Sequence, residues 1–138
     1  MSVTLVELTN TDHTFYPTLG PFLARREVHA YLGGNVWDDD AKTWIVARHR
    51  RRTVGFVAVA ARGRRWLVES LYITPDAPQG TGEALAAAAV ARCGPAELHA
   101  IARHAHAGPY LAVGFTITSQ TKEFARMTRP AQQKEVEK

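Results

Sequence analysis

The spacing of hydrophobic residues changes period several times along the chain, and each change marks a structural element. Alternation through Val3, Leu5 and Glu7 predicts a short first strand, broken by the polar turn formers of residues 9–14. Leu19, Phe22, Leu23, Val28 and Leu32 then recur at helical spacing around Pro17 and Pro21, which predicts a broken or two-piece amphipathic helix stopped by Gly33 and Gly34. Residues 43–48, 54–61 and 66–73 are β-rich runs joined by the short basic connections HRRR and RGRR, so they predict an antiparallel meander. In the third run, strict alternation places Leu67, Glu69, Leu71 and Ile73 on one face and Trp66, Val68 and Tyr72 on the other. A strand apolar on both faces belongs at the centre of its sheet.

After Pro75 the loop PDAPQGTG leads into residues 83–92, a run of strong helix formers ended by Gly94 and Pro95. Residues 97–101 predict a fifth strand, 108–113 a short helix, and 114–118 with 124–128 a closing β pair. Together these elements predict an α/β fold: a mainly antiparallel sheet with one strand–loop–helix–strand crossover, right-handed by the usual rule.

A length of 138 residues makes one domain. With 46% hydrophobic and 22% charged residues, the chain has enough apolar material for a packed core and is not a disordered or low-complexity sequence. The single cysteine, Cys93, cannot form an intramolecular disulfide and has no second cysteine with which to build a structural zinc site, so packing must supply the stability. The longest apolar run, residues 84–91, is far short of a membrane span, and the N-terminus lacks a basic stretch followed by an apolar one. These features suit a cytoplasmic protein. A formal charge of +4 suits an anionic ligand without naming it.

The glycine-containing loop before the second helical region is the most informative local feature. Backbone N–H groups at a helix N-terminus attract phosphate, Gly80 and Gly82 would let the backbone approach a ligand closely, and Thr81 offers a hydroxyl donor. Glycines used only to turn the chain explain the same pattern equally well. No G-x-x-x-x-G-K-[ST] sequence is present.

The order of elements, with LYITPDAPQGTGEAL in the middle and GPYLAVGF near the end, resembles the GNAT superfamily of N-acetyltransferases. Gln79, Gly80, Thr81, Gly82, Glu83 and Ala84 match its Q/R-x-x-G-x-G/A loop, and the resemblance runs through residues 43–128. It implies a GNAT-like mixed sheet, mainly antiparallel, with flanking helices around a central strand–glycine loop–helix unit, in a single acyltransferase-like domain of residues 1–129; the polar sequence after it predicts a flexible tail at 130–138. It also implies acetyl-CoA as co-substrate and no metal. The pyrophosphate would rest on the glycine loop, and the pantetheine arm would lie along the backbone of Leu71, Tyr72 and Ile73. Tyr110, in YLAVGF, matches the family's Y-x-x-x-G-F element, whose tyrosine protonates the departing thiolate. A phenol with an ordinary pKa of about 10 suits that role; a tyrosine packed for its ring is the alternative. Arg103 stands where many members carry asparagine.

For the base, Glu69 lies in the strand expected to be central, where a carboxylate is costly unless paired or functional. It is either a general base or half of an ion pair with an arginine of a neighbouring strand. His99, His104 and His106 around the fifth strand are further candidates. The run Arg48, Arg50, Arg51 and Arg52 is a solvated hairpin tip, a phosphate-binding patch beside the glycine loop, or a nucleic-acid grip; antiparallel topology places it near the loop, and puts Arg62, Arg64 and Arg65 at the opposite end of the sheet. Phe15, Tyr16, Phe22, Trp37 and the run Asp38, Asp39 and Asp40 correspond to the family's acceptor pocket, where aromatic walls and carboxylates would suit a cationic amine, although an exposed turn explains the aspartates too. The leading expectation is an N-acyltransferase moving an acetyl group to a primary amine of a small molecule or protein by direct attack. A nucleic-acid-modifying enzyme acting on a base amine and a non-catalytic CoA-binding or interaction module are the alternatives. Cys93, inside a helix, is given no nucleophilic role; a monomer or homodimer with no membrane partner is expected.

Overall fold

The structure, a computed structural model, describes residues 3–34, 40–63 and 65–132. Its elements in chain order are β1 (Thr4–Leu8), α1 (Phe15–Leu23), α2 (Arg26–Leu32), β2 (Lys42–His49), β3 (Arg52–Arg62) and β4 (Arg65–Ile73). These are followed by α3 (Thr81–Cys93), β5 (Leu98–Arg103), a 3-10 turn (His104–His106), α4 (Gly108–Ala112), β6 (Thr116–Gln120) and β7 (Phe124–Arg129). Among the described residues the strands make one sheet in the order β1-β2-β3-β4-β5-β7-β6, antiparallel throughout except between β4 and β5. The mixed α/β architecture and the central place of β4 are those expected from the hydrophobic pattern.

Alternation along β2 and β3 builds two cores, one on each face. Ile45, Ala47, Val54, Val57 and Val59 meet Leu85, Ala86 and Ala89 of α3, whose small alanines let the helix lie close to the sheet. Trp44, Val46, Phe56 and Ala58 meet Phe15, Leu19, Phe22 and Val28 of α1 and α2 on the other face. Phe15 and Phe22 are therefore core residues, not walls of an acceptor pocket. Tyr16 is largely exposed, Asp40 accepts a hydrogen bond from Asn10 at 2.9 Å, and Trp37, Asp38 and Asp39 lie outside the described residues, as does Arg64.

One irregularity in β4 overturns the face assignment made from alternation. Val68 pairs with Val59 and Glu69 with Ala58, but Tyr72 pairs with Phe56, so β4 holds one extra residue between these points. The bulge is centred near Ser70, whose φ is +61°. It reverses the alternation: Leu71 and Ile73 turn toward the α3 layer, whereas Glu69 and Tyr72 lie on the α1–α2 face. Glu69 thus shares its face with Leu67 and not with Leu71 or Ile73.

The parallel pairing of β4 with β5 is confined to Trp66 with Leu98 and Leu67 with His99. Beyond these residues the two strands part, leaving an edge of β4 unpaired within the sheet. At the far end of the chain, the backbone N–H of Gln132 donates to Pro95 O at 2.8 Å; residues 133–138 lie outside the described residues.

Candidate active site

The gap between β4 and β5 opens into two recesses. The larger, about 510 Å³, is lined by Glu69, Ser70 and Leu71 of the bulge, by Tyr110, and by residues of β5 and β7. The smaller, about 460 Å³, is lined by the loop from Thr74 through Glu83 together with Pro109. Tyr31 belongs to both walls and stands between them.

The glycine loop is built to leave backbone donors free. Gly80 caps α3 with φ +89°, a left-handed conformation that a side chain would strain. A Cβ on Gly82 would come within 3.0 Å of Pro109, so a small residue keeps α3 against α4. The N–H groups of Gly80, Gly82 and Glu83 have no hydrogen-bond partner among the described residues and, at the positive end of the α3 dipole, face a recess suited to phosphate. Thr81 does not contribute as expected. Its N–H and hydroxyl both donate to Pro78 O, at 3.2 and 2.6 Å, and its side chain is buried. Ala84 N–H is likewise taken, by Gly80 O at 2.9 Å.

Tyr110 is fully buried and stands edge-on to Phe115, with ring centroids 5.4 Å apart. Burial pushes its phenol well above the ordinary value, a backbone hydrogen bond from Leu71 opposing and the Glu69 carboxylate adding to the rise. The hydroxyl is therefore protonated at neutral pH, and the ring both packs the core and borders the larger recess. Tyr31, which the sequence reading passed over, meets the same strand edge: its phenol takes a backbone hydrogen bond from Ile73 and is raised chiefly by burial. Its position at the end of a helical run, just before the glycine pair, was the only sequence signal for it.

Glu69 is ion-paired, as its alternative explanation required, but chiefly with a lysine of β2 and only loosely with the expected arginine of the neighbouring strand β3. Lys42 Nζ lies 3.2 Å and Arg62 4.0 Å from its Oε1. Lys42 is itself buried, with its ammonium 5.3 Å from the Trp44 ring, and was not singled out from the sequence. Glu69 still borders the larger recess. Of the three histidines, His99 and His106 line the larger recess, His99 paired with Glu97 and His106 stacked on Tyr31, whereas His104 lies outside it and hydrogen-bonds Thr121 O at 2.9 Å. Burial, with Arg103 adding to it, holds His106 below its ordinary pKa. Burial pushes the Cys93 thiol up to about 11, which leaves it a core side chain. Among the described residues, no group of three or more His, Cys, Asp or Glu side chains is placed to hold a metal ion, and no helix is long and apolar enough to cross a membrane.

The arginine hairpin lies where topology put it. Arg50 and Arg51 form its tip with φ of +52° and +69°, and Arg52 is ion-paired with Asp76, which leads into the glycine loop.

A sheet split between two parallel neighbours, with a bulge on one and a glycine-capped helix after it, defines a class of fold. No protein-family model matches the sequence, and no curated protein matches it. Solved structures do. ElaA of Escherichia coli superposes with a TM-score of 0.72 at 12% identity, covering 92% of this chain and 99% of its own. The acetyltransferase of GNAT family from Streptococcus pneumoniae gives 0.68 at 14% identity, covering 96% of this chain and 100% of its own. The N-acetyltransferase PseH of Campylobacter jejuni, in complex with acetyl coenzyme A, gives 0.60 at 14% identity, covering 91% and 96%. The chain has the GNAT fold over nearly its whole length.

Proposed function

We propose that the protein is an N-acyltransferase that takes acetyl-CoA as its acyl donor and transfers the acetyl group directly to a primary amine. The observation that carries this reading is the parted β4 edge, with unpaired N–H groups of the glycine loop at one mouth and the protonated Tyr110 phenol at the other. The similarity to PseH, which is described as bound to acetyl coenzyme A, supports the choice of donor.

The residues fit that substrate. Gly80, Gly82 and Glu83 would donate backbone N–H groups to its pyrophosphate, with Gln79 beside them, while Thr81 and Ala84 hold the loop in shape. The backbone of Leu71, Tyr72 and Ile73 offers the edge along which an extended arm would hydrogen-bond. Acetyl-CoA supplies the activated acyl carbon. As the amine nitrogen bonds to that carbon and the C–S bond breaks, Tyr110 donates its proton to sulfur, and the proton lost by the amine passes to Glu69, directly or through water. Glu69 can take this part on the recess wall while paired with Lys42.

Isothermal titration with acetyl-CoA, mass spectrometry of the purified protein for retained CoA, and thiol release across an amine panel test the reading. Millimolar acetyl-CoA that fails to bind overturns it. Binding with no thiol release from any amine would favour a non-catalytic CoA-binding module.

A further inference from the structure

The larger recess extends from the bulge across the exposed face of β5 and β7. Its floor is apolar: Leu67 and Ile101 border it, and Ile101 remains 50% exposed although it lies on an interior strand of the sheet. With Leu67 it gives the recess an apolar floor that the body of a bound ligand would cover.

The charges around that floor are unequal. Among the described residues its one carboxylate, Glu69, is already matched by Lys42 and Arg62. Arg103 is also committed, to Glu123 at 3.2 Å and to Ala30 O at 2.9 Å. Arg65 and Arg126 border the recess and make no ion pair or hydrogen bond through their side chains among the described residues. Arg126 pairs across the strands with Ile101, and the parallel register at Leu67 and His99 carries Ile101 to about the level of Glu69. Because β4 and β5 have parted at this level, Arg126 is rooted more than two strand spacings, over about 10 Å, across the sheet from β4, on the opposite wall of the recess that the bulge borders. Arg65 lies farther back along β4.

We infer that the acceptor is an anionic amine: a small molecule carrying a carboxylate or a phosphate as well as its reacting amino group, with an apolar body to cover Leu67 and Ile101. This rests on the acyltransferase reading and narrows it. Arg126 takes the anion through its guanidinium fork, and Arg65 adds to the field that draws the anion into the recess. Polyamines and other multiply cationic amines are disfavoured, since the positive groups on the recess wall repel them. This reverses the cationic acceptor expected from Phe15, Phe22 and the aspartate run, two of which are core aromatics.

The test compares matched acceptors by thiol release at saturating acetyl-CoA: apolar amino acids against their amides, phosphate esters of amino alcohols against the parent alcohols, and spermidine as the cationic control. The wild type is expected to prefer the anionic member of a pair by about tenfold or more in kcat/KM, with carboxylate and phosphate arms identifying the source of the anion. Arg126→Gln should abolish that preference through KM, and Arg126→Lys should restore part of it. If acetyl-CoA binds but the amides, alcohols or spermidine are used as well as the anions, or no anionic amine is acetylated, the inference fails while the donor site stands. A preference unchanged in Arg126→Gln also overturns it. Absence of acetyl-CoA binding would instead remove the acyltransferase reading beneath it.

Discussion

Tyr31 lies flat against His106, with ring centroids 3.7 Å apart and planes within 9°. The pair joins the end of α2 to the turn after β5 and bridges the gap between the parted strands, while the Tyr31 phenol meets the Ile73 backbone at the edge a pantetheine arm would use. Tyr31→Phe keeps the stack and removes the competing hydroxyl. Its affinity for acetyl-CoA, measured by titration calorimetry, is expected to rise a few-fold, on the order of one hydrogen bond's net worth. An unchanged or weaker affinity would show that the hydroxyl does not compete.

The same stack should respond to acid. His106 is held below its ordinary pKa by burial and by Arg103, so the unfolded chain binds its proton more readily than the folded one. The stability this contributes is complete above about pH 6.5 and is lost as pH falls through the folded value. Thermal midpoints of wild type and His106→Gln, compared from pH 7.5 to 5, should converge toward the acid end. Parallel curves would assign the acid response to other groups.

Tyr110→Phe keeps the buried ring and its edge contact with Phe115 and removes the proposed proton donor. Turnover is expected to fall by about 10²–10⁴-fold while acetyl-CoA affinity changes little. Equal turnover would leave Tyr110 a packing residue.

Lys42 couples the recess to the core. Lys42→Met removes a buried charge but leaves Glu69 with only the looser Arg62 contact, and because Glu69 is partly exposed the cost should be moderate, about 1–3 kcal/mol. Urea denaturation measures it. A neutral or stabilising result would mean that the apolar replacement packs against Trp44 well enough to offset the lost pair.

Replacing Arg50, Arg51 and Arg52 together by alanine should weaken acetyl-CoA binding about two- to fivefold at low salt, less at high salt, since Arg52 is partly neutralised by Asp76 and the tip is exposed. Equal affinities at low salt would make the run a solvated turn. Unchanged cofactor affinity with lost nucleic-acid binding would revive the nucleic-acid reading.

The order of elements, the meander, the central place of β4 and the glycine loop were legible in the residues themselves, because period, turn formers and helix stops are local properties of the chain. Tyr110 and the loop glycines were found through a motif whose spacing is likewise local. Glu69 shows the limit: strict alternation put it with Leu71 and Ile73, and a single extra residue at Ser70 moved it to the other face. A bulge is set by how β3 and β4 register against two cores at once, which no window of sequence records. The same holds for Tyr31 against His106, Lys42 beneath Glu69, and Arg126 beside Ile101, residues apart in the chain that meet only when α2, the β2–β3–β4 meander and β7 assemble. Thr81 looked like a phosphate ligand by position, but the turn it closes with Pro78 takes both its donors. The residues thus determined which elements form and where the glycine loop stands between them. Tertiary packing decided which side chains face the recess, because facing depends on register and on long-range neighbours, not on the order of residues alone.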